Sequence, residues 1–232
     1  MYTRTSTVGR LWYIDPIDSS LHSCTGSVVT NGNRSTVLTA VHGVHGGEGE
    51  GWFSEILFVP GYSASGATKA EREPYGRWWP YSAMLAGNWA DSSPEYFDYA
   101  FITVWNLDET NTSRIQDLVG SQGWIFNSPE IREVEIQGYP IGGNSQTNGG
   151  EMEMYTAYAF PGGNWMSQAP DVFESDGGDS GSAWLMSFDY TTYLGWATSV
   201  TAKGASNDTV RGPYFDDDFA TLIDWANIPY PE

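Results

Sequence analysis

Glu174-Ser175-Asp176-Gly177-Gly178-Asp179-Ser180-Gly181-Ser182-Ala183-Trp184 sets one serine among small residues, with an aspartate directly before it. Glycine has no Cβ and reaches positive φ cheaply, so such a run lets backbone N–H groups converge beside a single hydroxyl. That is the local arrangement of a nucleophile wrapped by donors for a developing oxyanion. Clusters of Gly, Ser and Asp also make ordinary turns. The reading therefore depends on what the rest of the chain supplies.

A nucleophilic serine needs a base, and the three histidines, His22, His42 and His45, all lie in the first 45 residues. His42 ends the run Thr36-Val37-Leu38-Thr39-Ala40-Val41-His42, which reads as a buried strand whose last side chain projects into a cleft. His45, in a glycine-rich loop, and His22, in a polar turn, read as structural or surface residues. An imidazole base needs a third group to fix its tautomer and stabilise the imidazolium. Phe97-Asp98-Tyr99-Ala100-Phe101-Ile102 offers a carboxylate among large apolar residues at a strand start. Buried there, Asp98 costs several kcal/mol unless it is paired or hydrogen-bonded, so it requires a partner.

Composition sets outer bounds. The 232 residues suit one large domain or two small barrels, and 40% hydrophobic, 15% aromatic and 17% charged residues describe a folded, loop-rich chain. The net charge of −19 argues against nucleic acid or anionic membrane as a partner. No apolar run is long enough for a transmembrane helix. A single cysteine, Cys24, excludes an internal disulfide and reads as a small buried apolar residue.

Short β-type runs recur at 11–14, 27–30, 35–41, 55–59, 99–105, 123–126, 133–137, 151–159, 181–186 and 193–201, separated by turn residues. The fold class is all-β, a barrel or sandwich. One helix closes the chain: Phe215, Phe219, Leu222, Ile223 and Ala226 share a face, Asp216, Asp217 and Asp218 suit its first turn, and Pro229 follows its end. It is expected to cap the last barrel. The aspartates suit the helix dipole, and no calcium-loop spacing is present.

Leu38-Thr39-Ala40-Val41-His42, Asp98-Tyr99-Ala100-Phe101-Ile102 and Gly178-Asp179-Ser180-Gly181-Ser182 resemble the three signature motifs of trypsin/chymotrypsin-like serine peptidases. Their order is that family's, with intervals of 56 and 82 residues between the key positions. The chain is most similar to secreted bacterial members, which also carry a turn like Gly138-Tyr139-Pro140. The resemblance implies two six-stranded antiparallel β-barrels and a C-terminal helix. It divides the chain into an N-terminal barrel at 1–108, a linker at 109–120, a C-terminal barrel at 121–212 and a helical tail at 213–232. It also implies a serine endopeptidase with Ser180 as nucleophile, His42 as general base and acid, Asp98 as orienting carboxylate, and Gly178 and Ser180 N–H groups as the oxyanion hole. Such chemistry takes a protein or peptide substrate and needs no metal or organic cofactor. A monomer outside the cell is expected, with any signal and pro-segment absent from this chain.

Departures from the family pattern carry further expectations. The family's disulfide beside the histidine is missing, because Gly43 follows His42 while Cys24 occupies the strand position. Asp179 is expected to be buried against an arginine, with Arg10, Arg72, Arg114 and Arg132 as candidates. Glu174, or else Ser175 or Asp176, would sit at the base of the specificity pocket, and an acid there favours Arg or Lys substrates. No histidine follows His45, which disfavours a Glu preference, although Lys203 or Arg211 remain able to attract an acidic side chain. The run 195–201 reads as a pocket wall, with Thr198 or Ser199 facing the aspartate. Two other readings stay open. One is a catalytically silent relative that binds peptides. The other is a carbohydrate-active β-protein using Arg77-Trp78-Trp79-Pro80-Tyr81 and the acids Glu133, Glu135, Glu151 and Glu153.

Overall fold

The structure, a computed structural model, describes residues 5–105, 113–128, 132–141, 150–168, 177–204 and 210–229. The first sheet contains β1 (Val8–Ile14), β2 (Leu21–Val28), β3 (Thr36–Thr39), β4 (Ser54–Pro60), β5 (Trp79–Leu85) and β6 (Ala100–Trp105), in the order β4-β1-β2-β3-β6-β5. Its outer strands meet where Phe58 and Trp78 exchange backbone hydrogen bonds of 2.8 and 2.9 Å. That single bridge curls the sheet toward a barrel while β4 and β5 keep their outer edges.

The second sheet contains β7 (Gly123–Trp124), β8 (Arg132–Gly138), β9 (Glu153–Gly162), β10 (Trp165–Gln168), β11 (Ala183–Asp189), β12 (Leu194–Val200), β13 (Lys203–Gly204) and β14 (Val210–Pro213). Its order is β13-β14-β10-β9-β8-β11-β12-β7. Six longer strands pair antiparallel, β13 adds two residues at one edge, and β7 joins β12 in parallel. The sheet curls until β12 approaches β14, with Ser199 Oγ donating to Pro213 O at 2.8 Å. These two curled sheets are the double barrel expected of the sequence.

Three apolar clusters hold the molecule together. Leu11, Val37, Phe58, Trp78 and Ile102 fill the first barrel, while Val134, Ile136, Ala157, Trp184 and Val210 fill the second. A third cluster joins the halves, bringing Leu38, Tyr99 and Phe101 against Leu185, Ala197 and Val200. The C-terminal helix (Asp217–Trp225) packs into this third cluster rather than capping the last barrel alone. Phe219 meets Tyr99 at 5.4 Å and Phe101 at 5.2 Å, both from the first half. Burial of each such ring contributes about 2–3 kcal/mol, so the helix works as a clasp across the seam. Asp216 caps it, accepting from the N–H groups of Asp218 and Phe219.

Sequence patterning misses β5, β10, β13 and β14. In β5, Pro80 removes a ladder donor and marks a register shift between Pro80 and Ser82. Proline inside an apolar run argues against a strand, but an edge strand tolerates it. The other three are two to four residues long and show no period.

Candidate active site

β3 stops at Thr39, and Val41–Gly43 forms a 3₁₀ turn. His42 therefore sits on this turn and not at the end of a longer strand. Asp98 explains why the ladder stops: its Oδ1 accepts the His42 backbone N–H at 3.0 Å, in place of a strand partner. Asp98 in turn follows the 3₁₀ turn Glu95–Phe97 and leads into β6, whose Ala100 pairs with Thr39. The pairing of β3 with β6 thus brings the two residues together.

The second carboxylate oxygen, Oδ2, lies 2.6 Å from His42 Nδ1. Asp98 is only 4% exposed, so its burial is offset by these two hydrogen bonds. A carboxylate only accepts, so Nδ1 carries the proton and Nε2 keeps a free lone pair. Burial by itself lowers the His42 pKa. The charge and hydrogen bond of Asp98, with the more distant charge of Asp179, outweigh it and raise the pKa above the usual 6.5.

The nucleophile segment is organised by its carbonyls. Gly177 O accepts from Ile141 N at 2.7 Å, and Gly178 O accepts from Thr25 Oγ1 at 2.9 Å. Asp179 O accepts from Ser182 N and Oγ, and Ser180 O accepts from Thr25 N at 2.8 Å. Four successive carbonyls are thus engaged, whereas the Gly178 and Ser180 amides have no acceptor among the described residues. Two donors of this kind can bind an oxyanion. The backbone demands glycine here: Gly178 has φ +100, and a Cβ would lie 2.5 Å from Tyr139 O. Gly181 has φ +85, and a Cβ there would lie 2.3 Å from Thr25 O. The Ser180 hydroxyl makes no hydrogen bond among the described residues, as is common before substrate binds.

Cys24 is buried against Gly43, where an added Cβ would come within 2.8 Å of its Sγ. Burial, followed by the charge of Asp98, pushes the Cys24 thiol up to about 12, leaving it inert. The two positions are at disulfide range, although the Cβ separation of 3.2 Å is a little short. Gly43→Cys is expected to close a bridge to Cys24 that stabilises the fold by about 2–3 kcal/mol. Melting with and without reductant checks this, because the gain belongs to the oxidised protein alone.

Asp179 is 2% exposed, and its charge raises the pKa of Tyr155 after burial has done so. Arg10 directs its guanidinium to Ser23 Oγ and Gly150 O and lies over the Trp12 and Tyr62 rings, while Arg72 donates to Gly66 O. Glu174, Ser175 and Asp176 lie outside the described residues. Thr198 and Ser199 are fully buried, and the Ser199 hydroxyl is taken by Pro213 O. Thr201, equally buried and one residue past β12, holds the segment after the nucleophile: its O accepts from Gly181 N at 2.7 Å and its N–H donates to Ser182 O at 2.9 Å.

His45 is buried, accepts from Gly47 N and packs edge-on against Trp52, and His22 stacks on Tyr13. Among the described residues one group has ligand atoms close enough for a metal, Asp15, Asp18 and His22 in the β1–β2 hairpin. Trp78 is wholly buried and offers no face to a sugar. Glu135 is 3% exposed and already holds hydroxyls of Thr156 and Tyr190. No helix among the described residues is long and apolar enough to cross a membrane.

No protein-family model and no curated protein matches the chain. Solved structures do. The protease Anisep from Arthrobacter nicotinovorans superposes with a TM-score of 0.81 at 26% identity, covering 97% of each chain. The thermostable serine protease AL20 from an extremophilic microorganism gives 0.81 at 23% identity, over 96% of this chain and 97% of that one. A Glu endopeptidase gives 0.72 at 18% identity, over 96% and 91%. Over nearly its whole length the chain therefore shares the double-barrel fold of these bacterial serine proteases.

Proposed function

We propose that this chain is a serine endopeptidase that cleaves peptide bonds through an acyl-enzyme on Ser180. His42 Nε2 takes the Ser180 Oγ proton as Oγ attacks the scissile carbonyl. The tetrahedral oxyanion is held by the Gly178 and Ser180 N–H groups. Its collapse expels the amine, which receives the proton from His42. Water then enters by the reverse proton path and frees Ser180. Asp98 holds the tautomer that leaves Nε2 able to accept, and its charge stabilises the imidazolium.

The observation that carries this reading is the two-point contact of Asp98 with His42, through backbone N–H and Nδ1. A structural aspartate needs only one of these bonds, whereas a carboxylate that orients an imidazole base needs both turn and ring held. An extended substrate adds as a β-strand along the 195–201 run, and an acid at Glu174 would select Arg or Lys. The protein acts outside the cell as a monomer.

A fluorophosphonate reagent tests the reading directly. Stoichiometric labelling mapped by mass spectrometry to Ser180 is expected. Folded protein with no label on Ser180 would sink it.

A further inference from the structure

Thr25 lies on β2 with no exposed surface, and each of its polar atoms is engaged. Its N–H donates to Ser180 O at 2.8 Å. Its hydroxyl donates to Gly178 O at 2.9 Å while accepting from Tyr139 N at 2.9 Å. Its carbonyl accepts from Thr39 Oγ1 at 2.7 Å. One residue of the first sheet thus grips the nucleophile segment on both sides of Asp179. It also grips the strand that runs into His42.

The Gly178–Asp179 peptide lies between the two proposed oxyanion donors, one preceding it and the other following. Turning that peptide changes the angle between them, and a glycine offers no side-chain barrier to the turn. The Thr25 hydroxyl opposes it by holding Gly178 O. The bond from Thr25 N to Ser180 O is backbone and survives substitution, so the hydroxyl's share is separable from it.

We propose that the Thr25 hydroxyl is a positioning residue that sets the direction of the oxyanion donors. The assignment rests on the serine peptidase reading. The donors gain most on the tetrahedral oxyanion and less on the ground-state carbonyl, so loosening them lowers kcat and spares KM.

Thr25→Val keeps the shape and removes the hydroxyl, whereas Thr25→Ser keeps the hydroxyl and removes a methyl group. With an internally quenched casein peptide, Thr25→Val is expected to lower kcat about 100-fold with little change in KM. Inhibition by a peptide aldehyde, which forms a hemiacetal oxyanion, should weaken by about the same factor. Thr25→Ser should retain kcat within about fivefold of wild type, since both carbonyl and amide partners are kept. Thr25→Ala replaces Thr25→Val if near-UV circular dichroism shows the latter misfolded. A role in packing alone gives the reverse order, with Thr25→Ser the poorer variant, and would overturn the assignment. Equal kcat for wild type and the folded hydroxyl-free variant would do the same. Wild-type protein without Ser180-dependent hydrolysis instead overturns the peptidase reading itself.

Discussion

Ser180→Ala is expected to reduce kcat by about 10⁵–10⁶, or roughly 7–8 kcal/mol of transition-state stabilisation. The loss is that large because His42 and the oxyanion donors act on a bond that the serine has to form first. The variant should nonetheless fold normally. Ser180 contributes to the structure through its carbonyl, bonded to Thr25 N at 2.8 Å, and alanine keeps that carbonyl. Wild type and variant, compared on a casein digest read by mass spectrometry, should differ in every cleavage while melting within about 2 °C of each other. Cleavages persisting undiminished in the variant would assign the activity to other residues.

Asp98→Asn is expected to cost about 10⁴ in kcat with the fold retained. An amide keeps an oxygen for His42 N–H but turns N–H groups toward Nδ1, so the imidazole proton moves to Nε2. That nitrogen then cannot take the serine proton. The pH profile separates this from simple damage. In wild type, activity requires neutral His42 and should fall as pH drops through a value above 6.5, because Asp98 and Asp179 together outweigh burial. Removing the Asp98 charge leaves burial dominant, so the acid limb of the residual activity should move below its wild-type position. Stability follows the same linkage. A raised histidine pKa contributes stability that is present below 6.5 and lost as pH rises through the folded-state value. The melting gap between wild type and Asp98→Asn should therefore be wider in acid than in alkali. An unshifted acid limb would count against Asp98 as the group that raises His42.

Part of this molecule could be read from residue order. Alternating or continuous apolar runs mark ten of the strands, because side-chain burial in a sheet has a period of two or none. The residues Phe219, Leu222, Ile223 and Ala226 are buried along one face as their spacing requires, and Phe215, just before the helix, is buried with them. Asp98, flanked by Phe97 and Tyr99, needed a partner once buried, and it has one in His42. Pro80 hid β5, since a residue that lacks a donor is informative only when its place at a sheet edge is known.

Local chemistry along the chain thus specified strand content, the glycine turns around Ser180, and the need for a base and a carboxylate. Those properties depend on neighbours within a few residues. Only tertiary packing decided that the end of β12 lies beside the nucleophile segment, where Thr201 bonds Gly181 N and Ser182 O. It also decided that the helix clasps both barrels, and that Thr25 spans 153 residues of sequence to hold Gly178 O. A hydrogen bond between a strand and a distant loop has no signature in either, because Thr25 looks like any other threonine until the fold brings the loop against it.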